Sequence, residues 1–240
     1  MSSLSLDSYK AVIFDLDGII TQTMQLHQKA WKKMFDAFLQ QYEGQEPFSE
    51  KDYQKFVDGK PRYDGVRSFL QSRNIDLPEG SKEGSKEEDT IYGLGMRKNQ
   101  YFLQELESQG AKVYDDTLAW IKQWKSEGKK LAVVSSSKNC RPVLKQAKLL
   151  HFFEVVVDGT DSQQKHLKGK PEADIFLEAA QLLNIKPKEA IVFEDAISGV
   201  QAGKKGKFGL VVGVNRANQA QQMKEAGADL VINTLSELFK

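Results

Sequence analysis

Two carboxylates one residue apart, Asp15 and Asp17, close the apolar run Val12-Ile13-Phe14 and are followed by Gly18. Side chains at i and i+2 of an extended chain face the same way, so this pair can address one reacting group. Gly18 lets the backbone turn close to a ligand. Acids this close repel each other, so the pair calls for a cation or a shared proton. Further polar residues follow the same pattern: Ser135 after Leu131-Ala132-Val133-Val134, Lys170 ahead of Pro171, and Glu194 with Asp195 after Ile191-Val192-Phe193. Any one of these has a plain structural reading, since strands must end in something polar. Together at one sheet edge they supply a nucleophile, a hydroxyl, a cation and an acidic pair.

That set suits phosphoryl transfer through a covalent aspartyl-phosphate. The charge of a phosphoryl group lies on peripheral oxygens that repel an incoming carboxylate, so catalysis is mainly positioning and neutralisation. A hard divalent cation such as Mg²⁺, held by carboxylates and a backbone carbonyl, would bridge nucleophile and phosphate. At an effective dielectric of about 20, unit charges about 4 Å apart interact by roughly 4 kcal/mol, so metal and ammonium are large effects here. In this scheme Asp15 attacks, and Asp17 trades a proton with the leaving or accepting oxygen. That work needs a raised pKa at Asp17, which burial and a neighbouring carboxylate would provide.

The elements that must position these residues read as alternating β and α. Short β-branched runs predict strands over 10–15, 131–135, 155–158, 190–193, 210–214 and 230–232, with helices over 139–149, 171–183, 198–204 and 218–225. This is the pattern of a doubly wound parallel sheet, whose sites form beyond the carboxyl ends of the strands. Between the first and second strands no strand pattern occurs. Leu26, Ala30, Trp31, Met34 and Phe38 recur near helical spacing. The expectation is an α/β core over 1–22 and 109–240 with an all-helical cap inserted at 23–108. Residues 79–89, nearly free of apolar side chains, read as an exposed loop.

The 240 residues carry a formal net charge of +1. That offers no basic field for nucleic acid and no polybasic membrane patch. No apolar run approaches the roughly 20 residues that span a bilayer, and no signal peptide is visible at the start. One cysteine, Cys140, excludes an internal disulfide, so a reducing compartment, the cytoplasm by default, is expected. With no apolar stripe left unassigned, a monomer is the default.

The runs FDLDG, VVSSSKN, GKPEADIF and FEDAISGVQAG resemble, in order, the four motifs of the haloacid dehalogenase superfamily. The resemblance implies a Rossmann-like core with a helical cap after the first motif. By that likeness Asp15 is the nucleophile and Asp17 the acid/base, while Ser135 and Lys170 hold the transferring phosphate. Asp15, Asp195 and the main-chain carbonyl of Asp17 would bind Mg²⁺, with Glu194 in or near that shell. Within the superfamily the chain is similar to the β-phosphoglucomutase-like family. His27 and Trp31 in LHQKAW, Arg62 in GKPRYDGVRSFL and Lys98 in MRKNQYF match that family's cap segments. Ser136, Ser137, Lys138 and Asn139 match its stretch for the second, non-reacting phosphate, and Thr23 matches its hinge. Gln22 departs from the aspartate usual there. The resemblance implies a Mg²⁺-dependent sugar-phosphate mutase, with a phosphatase of small sugar phosphates as the alternative.

Plainer readings stand beside these. His27 could be a packed or surface histidine, Lys98 a solvated helix lysine, Arg62 a loop residue and Trp31 part of the cap core. Cys140 reads as a small packed residue.

Overall fold

The computed structural model describes residues 6–239; positions 1–5 and 240 of the expected core lie outside them. The chain forms two compact units, Met1–Gln22 with Ala111–Lys240, and Thr23–Gly110. Among the described residues no helix is long and apolar enough to cross a membrane.

The inserted unit is helical. Helix α1 (Met24–Leu39) buries Leu26, Ala30, Trp31, Met34 and Phe38, the stripe that their spacing anticipates. Helix α2 (Arg62–Ser72) buries Val66, Phe69 and Leu70, and α3 (Ile91–Gln109) buries Leu94, Phe102 and Leu106. Phe35 lies at the heart of this unit's core, with ring centroids 4.1 Å from Phe69 and 5.0 Å from Phe48. Residues 79–89 form an irregular, mostly exposed segment tied down by Arg67 on Glu79 and by Arg97 on Asp89.

In the other unit six parallel strands run in the order β3-β2-β1-β4-β5-β6. They are β1 (Ala11–Asp15), β2 (Lys130–Val134), β3 (Val155–Val157), β4 (Ala190–Glu194), β5 (Leu210–Val214) and β6 (Leu230–Ile232). β1, β4 and β5 are buried throughout, as a parallel sheet covered on both faces requires. The helices of this unit are α4 (Asp115–Ser126), α5 (Cys140–Gln146), α6 (Gly159–Gln164), α7 (Asp174–Leu182), α8 (Ile197–Lys205) and α9 (Ala220–Glu225). One sheet face packs Phe14 and Phe193 against Trp124 of α4; the other packs Val134 and Val192 against Phe176 and Ala179 of α7 and Val200 of α8.

Helix α7 starts later than its sequence suggests. Pro171 does not open it: the Lys170–Pro171 peptide is cis, and residues 171–173 turn before helix begins at Asp174. Strand order reverses between β1 and β4, so the switch point, where such sheets bind ligands, lies at the carboxyl ends of those two strands.

Candidate active site

Asp15 ends β1 and Glu194 ends β4. Phe14 pairs with Phe193, so the next residue of each strand stands at the same level. Both acids are buried, Glu194 completely. Lys170, from the segment ahead of α7, reaches between them. Its Nζ lies 2.5 Å from Asp15 Oδ1 and also donates to Glu194 Oε1. The second oxygen of Glu194 accepts from the Ala196 amide at 2.8 Å, just before α8. Glu194, expected in or near a metal shell, thus takes one hydrogen bond on each oxygen and pairs with Lys170.

One ammonium faces more acid than it can neutralise. Burial pushes the Asp15 carboxyl up; Lys170 opposes this, while Glu194 and Asp17 push the same way. Burial alone would pull Lys170 down, but Asp15 and Glu194 outweigh it and hold the ammonium protonated well above its usual range.

Asp17 follows on the turn, bridged to Thr21. Gly18 takes a φ of +83°, and a Cβ built there would fall 1.7 Å from Asp195 Oδ2. The Asp195 carboxylate therefore rests on the bare Cα of Gly18, beside Asp17. Only glycine suits both the backbone conformation and the space.

Ser135 follows β2 and is 1% exposed. Asp15 pairs with Val134, one residue before it. Ser135 Oγ accepts from the Ser137 amide at 3.1 Å, and Ser137 Oγ accepts from the Asn139 amide at 3.1 Å. Ser136 lies within this turn, which leads into α5, and Lys138 donates to Gln163 Oε1. Cys140 is fully buried behind it, and burial, with Asp17, Asp158 and Asp15 adding, pushes its thiol up. It is a packed residue.

A second cluster gathers inside the helical unit. His27 and Trp31 lie one turn apart on α1, and Lys98 on α3 is 4% exposed. Lys98 Nζ sits 2.6 Å from His27 Nδ1; an ammonium can only donate, so this nitrogen accepts. The ammonium also lies 5.0 Å from the Trp31 ring and 5.1 Å from the Phe102 ring, and His27 stacks on Phe102 at 4.1 Å. Arg62 opens α2 and donates to Asn99 Oδ1 at 2.8 Å; burial pulls its guanidinium down from the usual value. Lys98 is thus not a solvated helix lysine. Trp31 is 4% exposed and stacks on Phe35, so it belongs to the helical core while offering a ring face to Lys98. Thr23 is fully buried and precedes α1; beside it, the Gln22 amide donates to Lys112 O at 2.8 Å.

Among the described residues no three His, Cys, Asp or Glu side chains form a ready-made metal cage. Mg²⁺ does not need one. It keeps several waters and takes one or two carboxylates together with substrate phosphate. The surplus of acid around Lys170, and the cradle in which Asp195 rests on Gly18, fit such an ion.

Sequence reasoning missed Arg216. It follows β5 at the same sheet edge, and its Nε donates to Gly18 O at 2.9 Å. The signal available was a cation directly after the run Leu210-Val211-Val212-Gly213-Val214.

A parallel sheet with a lysine-bridged pair of acids at its switch point and a helical insert after the first strand defines a Rossmann-like enzyme core. The chain belongs to the haloacid dehalogenase-like hydrolase family, whose model matches residues 9–207. It is 46% identical to a β-phosphoglucomutase of Mycobacterium bovis, covering 97% of this chain and 92% of that protein. It is 29% identical to a phosphorylated carbohydrates phosphatase of Thermotoga maritima, covering 96% and 100%. A crystal structure of β-phosphoglucomutase from Clostridium difficile superposes with a TM-score of 0.76 at 26% identity, covering 96% of this chain and 93% of that one. The protein is an enzyme of the phosphotransferase or phosphatase type.

Proposed function

We propose that the protein is a Mg²⁺-dependent sugar-phosphate mutase interconverting β-glucose 1-phosphate and glucose 6-phosphate through a phospho-Asp15 enzyme. The observation that carries this reading is Lys170 bridging Asp15 and Glu194 at the switch point of the sheet. A carboxylate with one oxygen held by a buried ammonium is fixed in place, and it keeps a second oxygen for attack on phosphorus. The cationic cluster of Arg62, Lys98 and His27 in the helical unit, and the 46% identity to a protein named β-phosphoglucomutase, favour a mutase.

In the forward reaction the phosphoryl group passes from Asp15 to the 6-hydroxyl of β-glucose 1-phosphate, and Asp17 takes the hydroxyl proton. The bisphosphate turns end for end. Asp15 then attacks the 1-phosphate, the bond from phosphorus to the C1 oxygen breaks, and Asp17 returns its proton to that oxygen. Glucose 6-phosphate leaves and phospho-Asp15 is restored. Ser135 and Lys170 hold the transferring group. Ser136, Ser137, Lys138 and Asn139 of the sheet-bearing unit are assigned to the distal phosphate; in the helical unit Arg62 is assigned to phosphate, and His27, Trp31 and Lys98 to the sugar. Asp15, the Asp17 carbonyl and Asp195 would hold Mg²⁺, which when bound offsets charge on the phosphoryl oxygens. Water must be kept from phospho-Asp15 for its phosphoryl group to reach a sugar hydroxyl.

The test supplies β-glucose 1-phosphate and Mg²⁺ and follows glucose 6-phosphate and free phosphate together. Isomer formation well ahead of phosphate release is expected. Phosphate release that outpaces isomer formation would make the protein a sugar-phosphate phosphatase instead.

A further inference from the structure

Gly18 is the residue whose freedom most threatens the site. The Asp17 carbonyl on one side of it and the seat of Asp195 against its Cα both depend on its two torsions. Glycine is required there by the φ of +83° and by the 1.7 Å approach of Asp195, and glycine is the residue least able to hold a conformation by itself. Its amide is fixed by donation to Thr21 O at 2.8 Å. Its carbonyl is fixed by Arg216 Nε at 2.9 Å.

The rest of the Arg216 guanidinium points to the same task. Nη1 donates to Asn233 O at 2.9 Å, and the group lies 3.8 Å from the centroid of the Tyr114 ring. Tyr114 donates its own amide to Ile20 O at 3.0 Å, so it belongs to the same turn. Nη2 is buried and bonds nothing among the described residues. Arg216 thus spends its donors on main-chain carbonyls and a ring. A planar fork stacked on an aromatic face has one geometry, which a lysine cannot reproduce.

We infer that Arg216 is a positioning residue that locks the Gly18 turn, setting the Asp17 carbonyl and the Asp195 carboxylate at the spacing Mg²⁺ requires. This rests on the metal site assigned under the proposed function.

The experiment compares wild type with Arg216→Met and Arg216→Lys. Mg²⁺ affinity is read by titration calorimetry without substrate, and kcat and KM are read with β-glucose 1-phosphate. Outer partners of metal ligands typically change affinity or activity by about 10–100-fold, and a loss in that range is expected for Arg216→Met. It should fall on kcat rather than KM, with partial recovery in Arg216→Lys. Unchanged Mg²⁺ affinity in both variants, with or without a lower melting temperature, overturns the inference. If Arg216→Met does not fold, Arg216→Lys decides by the same readouts. A wild-type protein that binds Mg²⁺ but turns over no glucose phosphate sinks the mutase reading alone, because the Mg²⁺ titration still judges Arg216.

Discussion

Lys170 and Asp15 are in contact, yet removing one or the other should have unequal consequences for stability. Replacing Asp15 by Asn relieves a crowded acid and leaves Lys170 its bond to Glu194. Asp15→Asn should therefore abolish turnover with little change in unfolding free energy; retained turnover would place the nucleophile elsewhere. Lys170→Met instead leaves two buried carboxylates facing each other, and breaking a buried pair in this way costs about 3–5 kcal/mol. The pH dependence has a definite sign. Burial raises the Asp15 pKa above 3.8, so only between the unfolded and folded values does the folded state hold a proton that the unfolded state has released. Stability therefore falls as pH rises from the unfolded carboxyl range upward. The raised pKa of Lys170 has the same sign but acts in a more alkaline window. Its contribution is complete below the unfolded value of 10.5 and is lost only above it. Urea unfolding of Lys170→Met should show a deficit against wild type that is larger at pH 8 than at pH 5. A deficit that does not vary with pH would mean that lost packing on Phe176, not stranded acid, is the cause.

At the scale of the element, the first turn of α8 does work that its helix propensity conceals. A Cβ at Gly199 would fall 1.7 Å from Glu194 Oε1, so the bare helix face is the seat of that carboxylate. Inside an exposed helix, Gly to Ala gains about 1 kcal/mol. Here the methyl must expel Glu194 from its bonds with Lys170 and the Ala196 amide, and stranding such buried groups costs about 1–3 kcal/mol. Gly199→Ala should therefore lower both the melting temperature and kcat; a stabilised, fully active variant would show that Glu194 has another seat. This dependence of one residue on the missing side chain of another is what sequence conveys least. The strands were readable because parallel strands buried on both faces are unbroken apolar runs, and Asp15, Ser135 and Glu194 were readable because they end those runs. Helix α4 was not anticipated, although Trp120, Ile121 and Trp124 share one buried face. Its neighbourhood carries no chemistry to draw attention to it. Arg216 escaped because its partners are the carbonyls of Gly18 and Asn233, and main-chain acceptors leave no mark in a sequence.

At the scale of the whole molecule, a net charge of +1 provides no long-range field to gather an anionic sugar phosphate. Under the proposed function, capture falls to local cations, each held in one of two units with its own apolar core. A chain built this way need not unfold in one step, and a ligand that binds one unit should stabilise that unit first. The groups proposed to hold Mg²⁺, namely the Asp15 and Asp195 carboxylates and the Asp17 carbonyl, all belong to the sheet-bearing unit. An ion present at about 100 times its dissociation constant adds about 2.7 kcal/mol to the folded state. For a chain of this size each kcal/mol is worth about 2–4 °C, so a rise on the order of 5–10 °C is expected for that unit's transition. Scanning calorimetry with and without Mg²⁺ reads the shift. Hydrogen exchange should locate it in β1, β4 and the Gly18 turn, leaving the Phe35 cluster of the helical unit as it was. Asp15→Asn should lose most of the shift, because a neutral amide is a poor ligand for a hard cation. An equal shift in that variant would mean that the ion binds elsewhere, and no shift in wild type would mean that the acid surplus around Lys170 is not a metal site.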